Sequence, residues 1–261
     1  MNNPKTVLIT GASSGIGYEL AKLFAHDGHN LVLIARSAGK LNQVADELHR
    51  QFNISAKAVT MDLSTAAAPQ LLFDQLQRES IAVDILINNA GYAKYGKFAT
   101  VPLEGSNGQI QLNIATLTAL TRLFLGPMLE RCSGKIMNVA STAGFQPGPL
   151  MAVYYATKAY VISFSEALAN ELKGTGVTIT CFCPGATDTG FQYRAENADS
   201  RLFKTLRPMG VKKVARDGYR GLAKNKTLVI SGVRNWIVAE TVRFTPRKMA
   251  TAISRWVSEK A

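Results

Sequence analysis

The chain has 261 residues, of which 47% are hydrophobic and 18% are charged. This composition is typical of a globular protein with a sizeable buried core and excludes a disordered chain. No apolar run approaches the ~18 residues needed to span a bilayer, and the first residues lack a secretory signal core, so we expect a cytoplasmic protein. The three cysteines show neither a CxxC nor a metal-ligand spacing, which favours a reducing compartment and predicts no metal site.

The formal net charge of +12 is unevenly distributed along the chain. Residues 1–200 hold 15 basic and 15 acidic side chains, whereas residues 201–261 hold 15 basic and 3 acidic ones. This basic region is either a solvated face or a binding surface for an anionic substrate, an anionic membrane or nucleic acid. No helix-turn-helix, zinc or RNA-binding motif accompanies the charge, so we expect no nucleic-acid partner, and peripheral membrane contact stays open.

Apolar, β-branched runs alternate with amphipathic stretches along the chain, which predicts β-α units around a parallel sheet. The predicted strands, about seven, are Thr6–Thr10, Asn30–Ala35, Ala56–Met61, Ile85–Asn88, Lys135–Ala140, Val177–Cys183 and Thr227–Ser231. The predicted helices include Ile16–His26, Leu41–Phe52, Gly108–Arg131 and Tyr154–Leu172. No linker or internal repeat interrupts the pattern. We therefore expect one α/β domain over residues 1–261, a doubly wound parallel sheet with helices on both faces.

A glycine-rich turn lies between the first predicted strand and the first predicted helix. In Thr10-Gly11-Ala12-Ser13-Ser14-Gly15-Ile16-Gly17, Gly11 permits a tight turn and Gly15 lets the backbone approach a pyrophosphate. Gly17 lets the helix sit close to the sheet, and the helix N-terminus favours the anion. This context predicts a Rossmann-type dinucleotide-binding domain. The predicted cofactor contacts here are Gly11, Ser13, Ser14, Gly15, Ile16 and Gly17.

The end of the second predicted strand distinguishes the two nicotinamide cofactors. An NAD site places an acidic residue there for the ribose hydroxyls, but the strand ends in Ala35-Arg36-Ser37 and no carboxylate follows until Asp46. Arg36 carries a planar, permanently charged guanidinium that suits a 2′-phosphate. A simple surface arginine is the alternative. The missing acid together with Arg36 predicts NADP as the cofactor.

Three later segments follow predicted strand ends: Asp62-Leu63, Asn88-Asn89-Ala90-Gly91 and Pro184-Gly185-Ala186-Thr187-Asp188-Thr189. Together with the Thr-Gly-x-x-x-Gly-x-Gly spacing, they resemble the short-chain dehydrogenase/reductase family over roughly residues 5–190. The segments are similar to its adenine-contacting pair, its Asn-Asn-Ala-Gly segment and its nicotinamide-side loop. The resemblance implies further cofactor contacts at Asp62, Leu63, Asn89, Ala90, Gly91, Pro184, Gly185, Thr187 and Thr189.

The predicted chemistry centres on Tyr154 and Lys158, which lie four residues apart and so share one face of a helix. Ser141 ends the fifth predicted strand and Asn113 lies on the preceding helix, and both placements resemble the family's catalytic tetrad. Lys158 and an oxidised nicotinamide would stabilise the phenolate of Tyr154. Tyr154 would exchange a proton with a carbonyl or alcohol oxygen during hydride transfer, and Ser141 would hydrogen-bond that oxygen. The resemblance assigns Lys158 also to the nicotinamide ribose and Asn113 to a water relay.

Residues 191–261 are predicted to form a substrate lid and the basic C-terminal region, and for Phe191–Met209 an ordinary connecting loop is the alternative to a lid. Apolar side chains around the predicted pocket suggest a hydrophobic carbonyl or alcohol substrate, with core or lid packing as the alternative: Tyr92, Tyr95, Phe145, Pro147, Leu150, Met151, Phe191, Tyr193 and Phe203. The tail from Asn235 is a subunit interface, a pocket wall or an interfacial membrane helix. The resemblance implies a homodimer or homotetramer. The rival functions are a non-catalytic NADP-sensing protein and a basic membrane-surface-binding protein.

Overall fold

The computed structural model describes residues 4–195, 199–204 and 208–260. Seven of its strands form one parallel sheet in the order β3-β2-β1-β4-β5-β6-β9, and β7 pairs with β8 beside it. The strands are β1 (Thr6–Thr10), β2 (Asn30–Ala35), β3 (Ala56–Thr60), β4 (Ile85–Asn88), β5 (Gly134–Val139), β6 (Val177–Cys183), β7 (Thr187–Asp188), β8 (Met209–Gly210) and β9 (Leu228–Ile230).

Helices cover both faces of the large sheet, because alternate residues of a strand point to opposite faces. In β1, Val7 and Ile9 pack in a core cluster with α1, α2 and α9, whereas Leu8 packs in a second cluster with α3 and α5. The helices are α1 (Gly15–His26), α2 (Ala38–Phe52), α3 (Ala68–Arg78), α4 (Leu103–Ile110), α5 (Leu117–Glu130), α6 (Ala152–Glu171), α7 (Phe191–Arg194), α8 (Arg201–Lys204), α9 (Val211–Ala223), α10 (Val233–Val242) and α11 (Arg247–Ser258). The predicted doubly wound α/β fold is therefore confirmed.

The strand order reverses beside β1, whose neighbours are β2 on one side and β4 on the other. A crevice opens at the carboxyl ends of the strands where a doubly wound sheet reverses its order, and ligands bind there. The glycine-rich turn follows β1, and the Asn88-Asn89-Ala90-Gly91 segment follows β4. The fold thus brings two predicted cofactor segments to the same point.

The predicted strands agree with the observed ones to within one residue at each end. Six helices, α3, α7, α8, α9, α10 and α11, lie outside the predicted helical ranges. The predicted helix Gly108–Arg131 begins earlier, at Leu103, and its middle is a π-helical turn at Gln111–Thr116. The strands β7 and β8 were not predicted, because two residues carry no readable periodicity.

The stretch Leu103–Glu130 has the length and apolar composition of a membrane-crossing helix, alone among the described helices. By that measure the expectation that no such run exists was wrong. Here the stretch packs into the fold, since Leu120 and Phe124 are buried in the cluster that covers one face of the sheet. We therefore interpret it as a core helix, because such a helix passes the same test of length and composition.

Candidate active site

The glycine-rich turn has the backbone shape that a phosphate-binding loop requires. Gly11 and Gly15 adopt left-handed φ angles of 67° and 59°, a region that costs other residues energy. A Cβ on Gly17 would collide with the carbonyl oxygen of Gly11, so α1 can approach the turn this closely only with glycine there. Ser14 stands at the N-cap of α1 without capping it through its side chain. The turn and the first helical N–H groups thus form a cradle that fits a pyrophosphate.

Asn89 and Thr10 tie the ends of β1 and β4 together beneath this turn. The side-chain amide of Asn89 donates to the carbonyl oxygens of Thr10, at 2.9 Å, and Gly11, at 3.2 Å. The hydroxyl of Thr10 accepts from the backbone N–H groups of Asn89 and Ala90, both at 2.9 Å. The Asn89 side chain therefore holds the glycine-rich turn against the end of β4. Thr10 belongs to the predicted turn, but the sequence does not predict this role for its hydroxyl, because a threonine at the end of a strand does not by itself indicate a hydrogen-bonding function.

Arg36 and Asp62 follow the ends of β2 and β3, at the same edge of the sheet, and both are exposed. The pKa of Asp62 lies below its ordinary value because its carboxylate accepts from the backbone N–H and hydroxyl of Ser64, with a smaller contribution from the charge of Arg36. The backbone of Leu63 is held by the Thr116 hydroxyl, which donates to its carbonyl oxygen at 2.7 Å. Arg36, predicted for the 2′-phosphate, and the predicted adenine-contacting pair Asp62-Leu63 therefore lie near each other.

Ser141, Tyr154 and Lys158 meet at the carboxyl end of β5. Ser141 directly follows this edge of the sheet and caps the short helical turn Thr142–Phe145, its hydroxyl accepting from the N–H of Ala143 at 3.1 Å. Lys158 is buried, donates from Nζ to the carbonyl oxygen of Val139 at 2.8 Å, and places Nζ 5.8 Å from the ring centroid of Tyr154. Ser141 lies close enough to Tyr154 for its hydroxyl to lower the pKa of the phenol by hydrogen bonding. Three of the four predicted catalytic residues thus form one cluster.

Burial has the largest effect on the pKa values of Tyr154 and Lys158. It raises the pKa of Tyr154 above its ordinary value, and the hydrogen bond from Ser141 opposes the increase. It lowers the pKa of Lys158 to about 8, against the opposing effect of the Cys181 and Cys183 thiols. The sequence predicts that Lys158 lowers the Tyr154 pKa, whereas in the structure desolvation is the largest influence and raises it. Tyr154 is consequently a neutral phenol at neutral pH, which is the form that donates a proton.

Asn113 lies in the π-helical turn and holds the loop after β4 against α6. Its Oδ1 accepts from the N–H of Tyr92 at 3.2 Å, and its Nδ2 donates to the Tyr92 carbonyl at 3.0 Å and the Thr157 hydroxyl at 3.1 Å. A Cβ on Gly91 would lie 3.0 Å from Asn113 Oδ1 and 3.6 Å from Lys158 Nζ. Gly91 therefore lies next to both side chains. Asn113 thus adjoins the cluster as a positioning residue, and its role in a water relay stays a prediction.

The Pro184–Thr189 loop borders both the cluster and the glycine-rich turn. The Pro184 carbonyl accepts from the N–H of Thr142 at 2.9 Å, next to Ser141. A Cβ on Gly15 would lie 3.3 Å from the Thr189 side chain. The Thr187 hydroxyl donates to the Gly185 carbonyl at 2.8 Å, which closes the loop on itself. The predicted nicotinamide-side residues therefore lie between the two halves of the site.

The apolar residues predicted for the pocket divide between two places. Met151, Tyr95 and Phe191 pack with Tyr154 in one cluster, where the rings of Tyr154 and Phe191 are 5.6 Å apart. The side chains of Phe145 and Pro147 instead line a cleft of about 630 Å³ with Tyr155. Of the others, Tyr193 is 73% exposed, Tyr92 and Leu150 are half-buried, and the Phe203 side chain lies outside the described residues.

The cysteines occupy no recognisable reactive site. All three are free, and Cys181 and Cys183 are buried on β6 with their sulfurs 3.8 Å apart. They pack as small apolar residues near Lys158. Among the residues the structure describes, no three His, Cys, Asp or Glu side chains are close enough to hold a metal ion.

The fold and this cluster define a dinucleotide-binding α/β oxidoreductase. A sequence profile of the short chain dehydrogenases matches residues 5–200, and the chain belongs to that family. It is 35% identical over 224 residues to the ketoacyl reductase HetN of Nostoc sp., an alignment that covers 85% of this chain and 76% of that protein.

Two solved structures illustrate the cofactors seen with this fold. A short-chain dehydrogenase from Sphingobium yanoikuyae in complex with NADPH has a TM-score of 0.82 and 34% identity, covering 92% of this chain and 93% of its own. A short chain dehydrogenase/reductase from Burkholderia phymatum in complex with NAD has a TM-score of 0.83 and 25% identity, covering 99% of this chain and 98% of its own. A nicotinamide dinucleotide is thus the supported cofactor, and the choice between the two forms depends on this chain's own residues.

Proposed function

We propose that the protein is an NADP(H)-dependent oxidoreductase that interconverts a hydrophobic carbonyl compound and its alcohol, with Tyr154 as the acid and base. The observation that carries this proposal is the meeting of Tyr154, Ser141 and Lys158 beside the glycine-rich turn. No structural need explains a buried lysine next to a buried tyrosine, since burial disfavours the charge of the one and the ionisation of the other.

A dinucleotide held on the glycine-rich turn would supply the hydride to the carbonyl carbon, or accept it from the alcohol carbon in the reverse direction. In reduction, the neutral phenol of Tyr154 donates its proton to the carbonyl oxygen, and in oxidation its phenolate accepts the alcohol proton. Ser141 hydrogen-bonds to Tyr154 and is placed to hold the same substrate oxygen. The ammonium of Lys158, anchored on the Val139 carbonyl, stabilises the phenolate that forms.

The preference for NADP over NAD is proposed from Arg36 and Asp62. The end of β2 offers the guanidinium of Arg36, and no carboxylate stands beside it on that strand. The nearest acid at this edge, Asp62, is engaged with Ser64. A phosphate on the ribose would therefore meet a cation, whereas free ribose hydroxyls would lack an acidic acceptor.

A hydrophobic substrate is supported by the side chains that surround Tyr154. Phe191, Met151 and Tyr95 pack around its ring, and all three are apolar or aromatic. An apolar pocket with few polar groups at its reacting end is typical of small-molecule sites. Residues 191–261 are proposed to provide the lid, since Phe191 belongs to them. We further propose a cytoplasmic homodimer or homotetramer.

The test is turnover of purified protein with NADPH and a panel of apolar ketones, aldehydes and 3-oxoacyl thioesters. NADPH oxidation that depends on one of these carbonyl compounds supports the proposal. A protein that binds NADPH but reduces no member of the panel, and whose Tyr154→Phe variant behaves identically, would instead be the non-catalytic sensor.

A further inference from the structure

The two C-terminal helices carry their large apolar side chains on the outside. In α11, the inward residues Ala250, Ser254 and Ser258 are small, whereas an amphipathic helix of a globular protein ordinarily turns its large apolar residues inward. Between Val233 and Trp256, eight large apolar side chains are 51–87% exposed: Val233, Trp236, Ile237, Val238, Phe244, Met249, Ile253 and Trp256. So large a concentration of exposed apolar side chains in 24 residues indicates a binding surface.

The same segment is strongly basic. Residues 233–260, here called the C-terminal segment, hold six basic side chains and two acidic ones. Both acids are already paired within the segment, since Glu240 lies 3.3 Å from Arg243 and Glu259 lies 2.8 Å from Arg255. The remaining cations, including Arg234, Arg247 and Lys248, therefore face outward among the exposed apolar side chains.

The excess of cations favours a lipid surface over a second copy of the chain as the binding partner of this segment. In a two-fold interface the same patch lies on both sides, so its cations would oppose one another without free acids to pair with them. An anionic bilayer pairs phosphates with the cations and accepts the apolar side chains at the boundary of headgroups and acyl chains. Tryptophan, which has an apolar body and a polar N–H, suits that boundary.

We propose that the C-terminal segment binds the surface of a membrane rich in anionic phospholipid, in the manner of a peripheral protein. The apolar face of α10 and α11 enters the headgroup region, and Arg234, Arg247 and Lys248 pair with lipid phosphates. The inference does not depend on the catalytic proposal, because it uses none of the residues around Tyr154.

The experiment measures binding of the full chain to phospholipid vesicles. The chain contains only two tryptophans, Trp236 and Trp256, so its tryptophan fluorescence reports on this segment alone. Vesicles with about 30% phosphatidylglycerol should sediment the protein and shift its emission to shorter wavelength, whereas phosphatidylcholine vesicles should bind much less. Raising the salt from about 50 to 500 mM should weaken binding, because it screens the surface charge.

Two sets of variants separate the contributions of charge and apolar surface. The triple variant Arg234→Gln, Arg247→Gln, Lys248→Gln should reduce binding to anionic vesicles at least about tenfold. Its matched control carries Arg50→Gln, Arg78→Gln and Lys173→Gln, which remove the same charge from exposed positions in the balanced part of the chain, and should bind like the wild type. Phe244→Ser with Ile253→Ser should also weaken binding, because both side chains enter the bilayer.

Several outcomes would overturn the proposal. One is wild-type protein that neither sediments with anionic vesicles nor changes its emission, and another is a control variant that loses as much binding as the triple variant. If Phe244→Ser with Ile253→Ser separates an oligomer and leaves vesicle binding intact, the face is an interface between copies. Equal binding of the wild type and this apolar variant to a soluble polyanion such as heparin, without vesicle binding, would show a purely ionic surface.

Discussion

The neighbouring residues Tyr154 and Tyr155 on α6 have different surroundings. Tyr154 packs against Phe191 and Lys158, whereas Tyr155 packs against Gly148, where a Cβ would collide with its ring. The two rings are 6.2 Å apart, and Lys158 Nζ lies 5.8 Å from the centroid of the Tyr154 ring. The sequence predicts that Tyr154 and Lys158 share one face of a helix, and the distance between them agrees with that placement.

Tyr154→Phe should lower kcat by about 10²–10⁴-fold, because the ring stays and only the acid is lost. NADPH binding should remain nearly unchanged. Tyr155→Phe is the control and should keep most activity. Steady-state kinetics and NADPH titrations of both variants give the answer, and retention of more than about a tenth of kcat in Tyr154→Phe would remove it from the proposed role.

Arg36→Ala should weaken NADPH binding at least about tenfold and leave NADH binding nearly unchanged, because a phosphate–arginine pair is charge-assisted and NADH lacks the phosphate. The wild type should bind NADPH at least about tenfold more tightly than NADH. Paired titrations with both cofactors measure these effects. Equal losses for NADPH and NADH would mean that Arg36 is only a surface arginine.

The lowered pKa of Lys158 has a consequence for stability. The folded pKa of about 8 lies below the ordinary value of 10.5, so between these pH values the unfolded chain binds more protons. The free energy of unfolding therefore rises with pH in this window. Below pH 8 Lys158 is charged in both the folded and the unfolded state, so the whole cost of burying that charge lowers stability. Relative to Lys158→Met, wild-type protein should become progressively more stable from about pH 8 to 10.5. Thermal unfolding of both proteins measures this difference, and a constant difference across the window would contradict the assignment.

At the scale of elements, the strand–turn–helix units were readable because apolar periodicity and glycine spacing are local signals. The π-helical turn that contains Asn113 was not readable from the sequence, since this turn depends on how the long helix packs against α6 rather than on the composition of the turn. For the tail from Asn235, which contains most of α10 and all of α11, an interfacial helix was one of three interpretations left open. The direction in which its apolar residues face could not be predicted, because it depends on the rest of the fold.

The packing of α1 on the glycine-rich turn gives a test at this scale. Gly17→Ala should lower the unfolding temperature and weaken dinucleotide binding, because the new methyl group collides with the Gly11 carbonyl. Gly39→Ala, in the first turn of α2, is the matched control, since nothing lies within 4 Å of its Cβ. It should be neutral or slightly stabilising, given the higher helix propensity of alanine. Equal behaviour of the two variants in thermal unfolding and cofactor titration would contradict this account of the turn.

At the scale of the molecule, the site depends on one reversal of strand order, which could be expected from the alternation of strands and helices. The contact between α8 and the end of α11, both within the proposed lid region, could not, because it joins residues far apart in the sequence. Arg201, at the start of α8, donates from its backbone N–H to the Glu259 carbonyl at 2.9 Å and from Nη1 to the Glu259 carboxylate at 3.2 Å. Its guanidinium also lies 5.1 Å from the Trp256 ring. Burial raises the pKa of Tyr95, with opposite contributions from Arg255 and Glu259, so charges at this end of the chain reach the proposed pocket.

Arg201→Ala should therefore loosen the lid and raise KM for an apolar substrate. The Arg201 and Glu259 side chains are 30% and 37% exposed, so solvent screening reduces the value of their pair to about 1 kcal/mol, which corresponds to about fivefold in KM. The kcat should stay within about twofold, because Tyr154, Ser141 and Lys158 are untouched. Lys204→Ala is the control, since it removes an exposed ion pair with Asp199 from the same lid without touching α11. A loss of kcat at constant KM in Arg201→Ala, or an equal effect of Lys204→Ala, would show that the contact with the last helix does not hold the lid over the substrate.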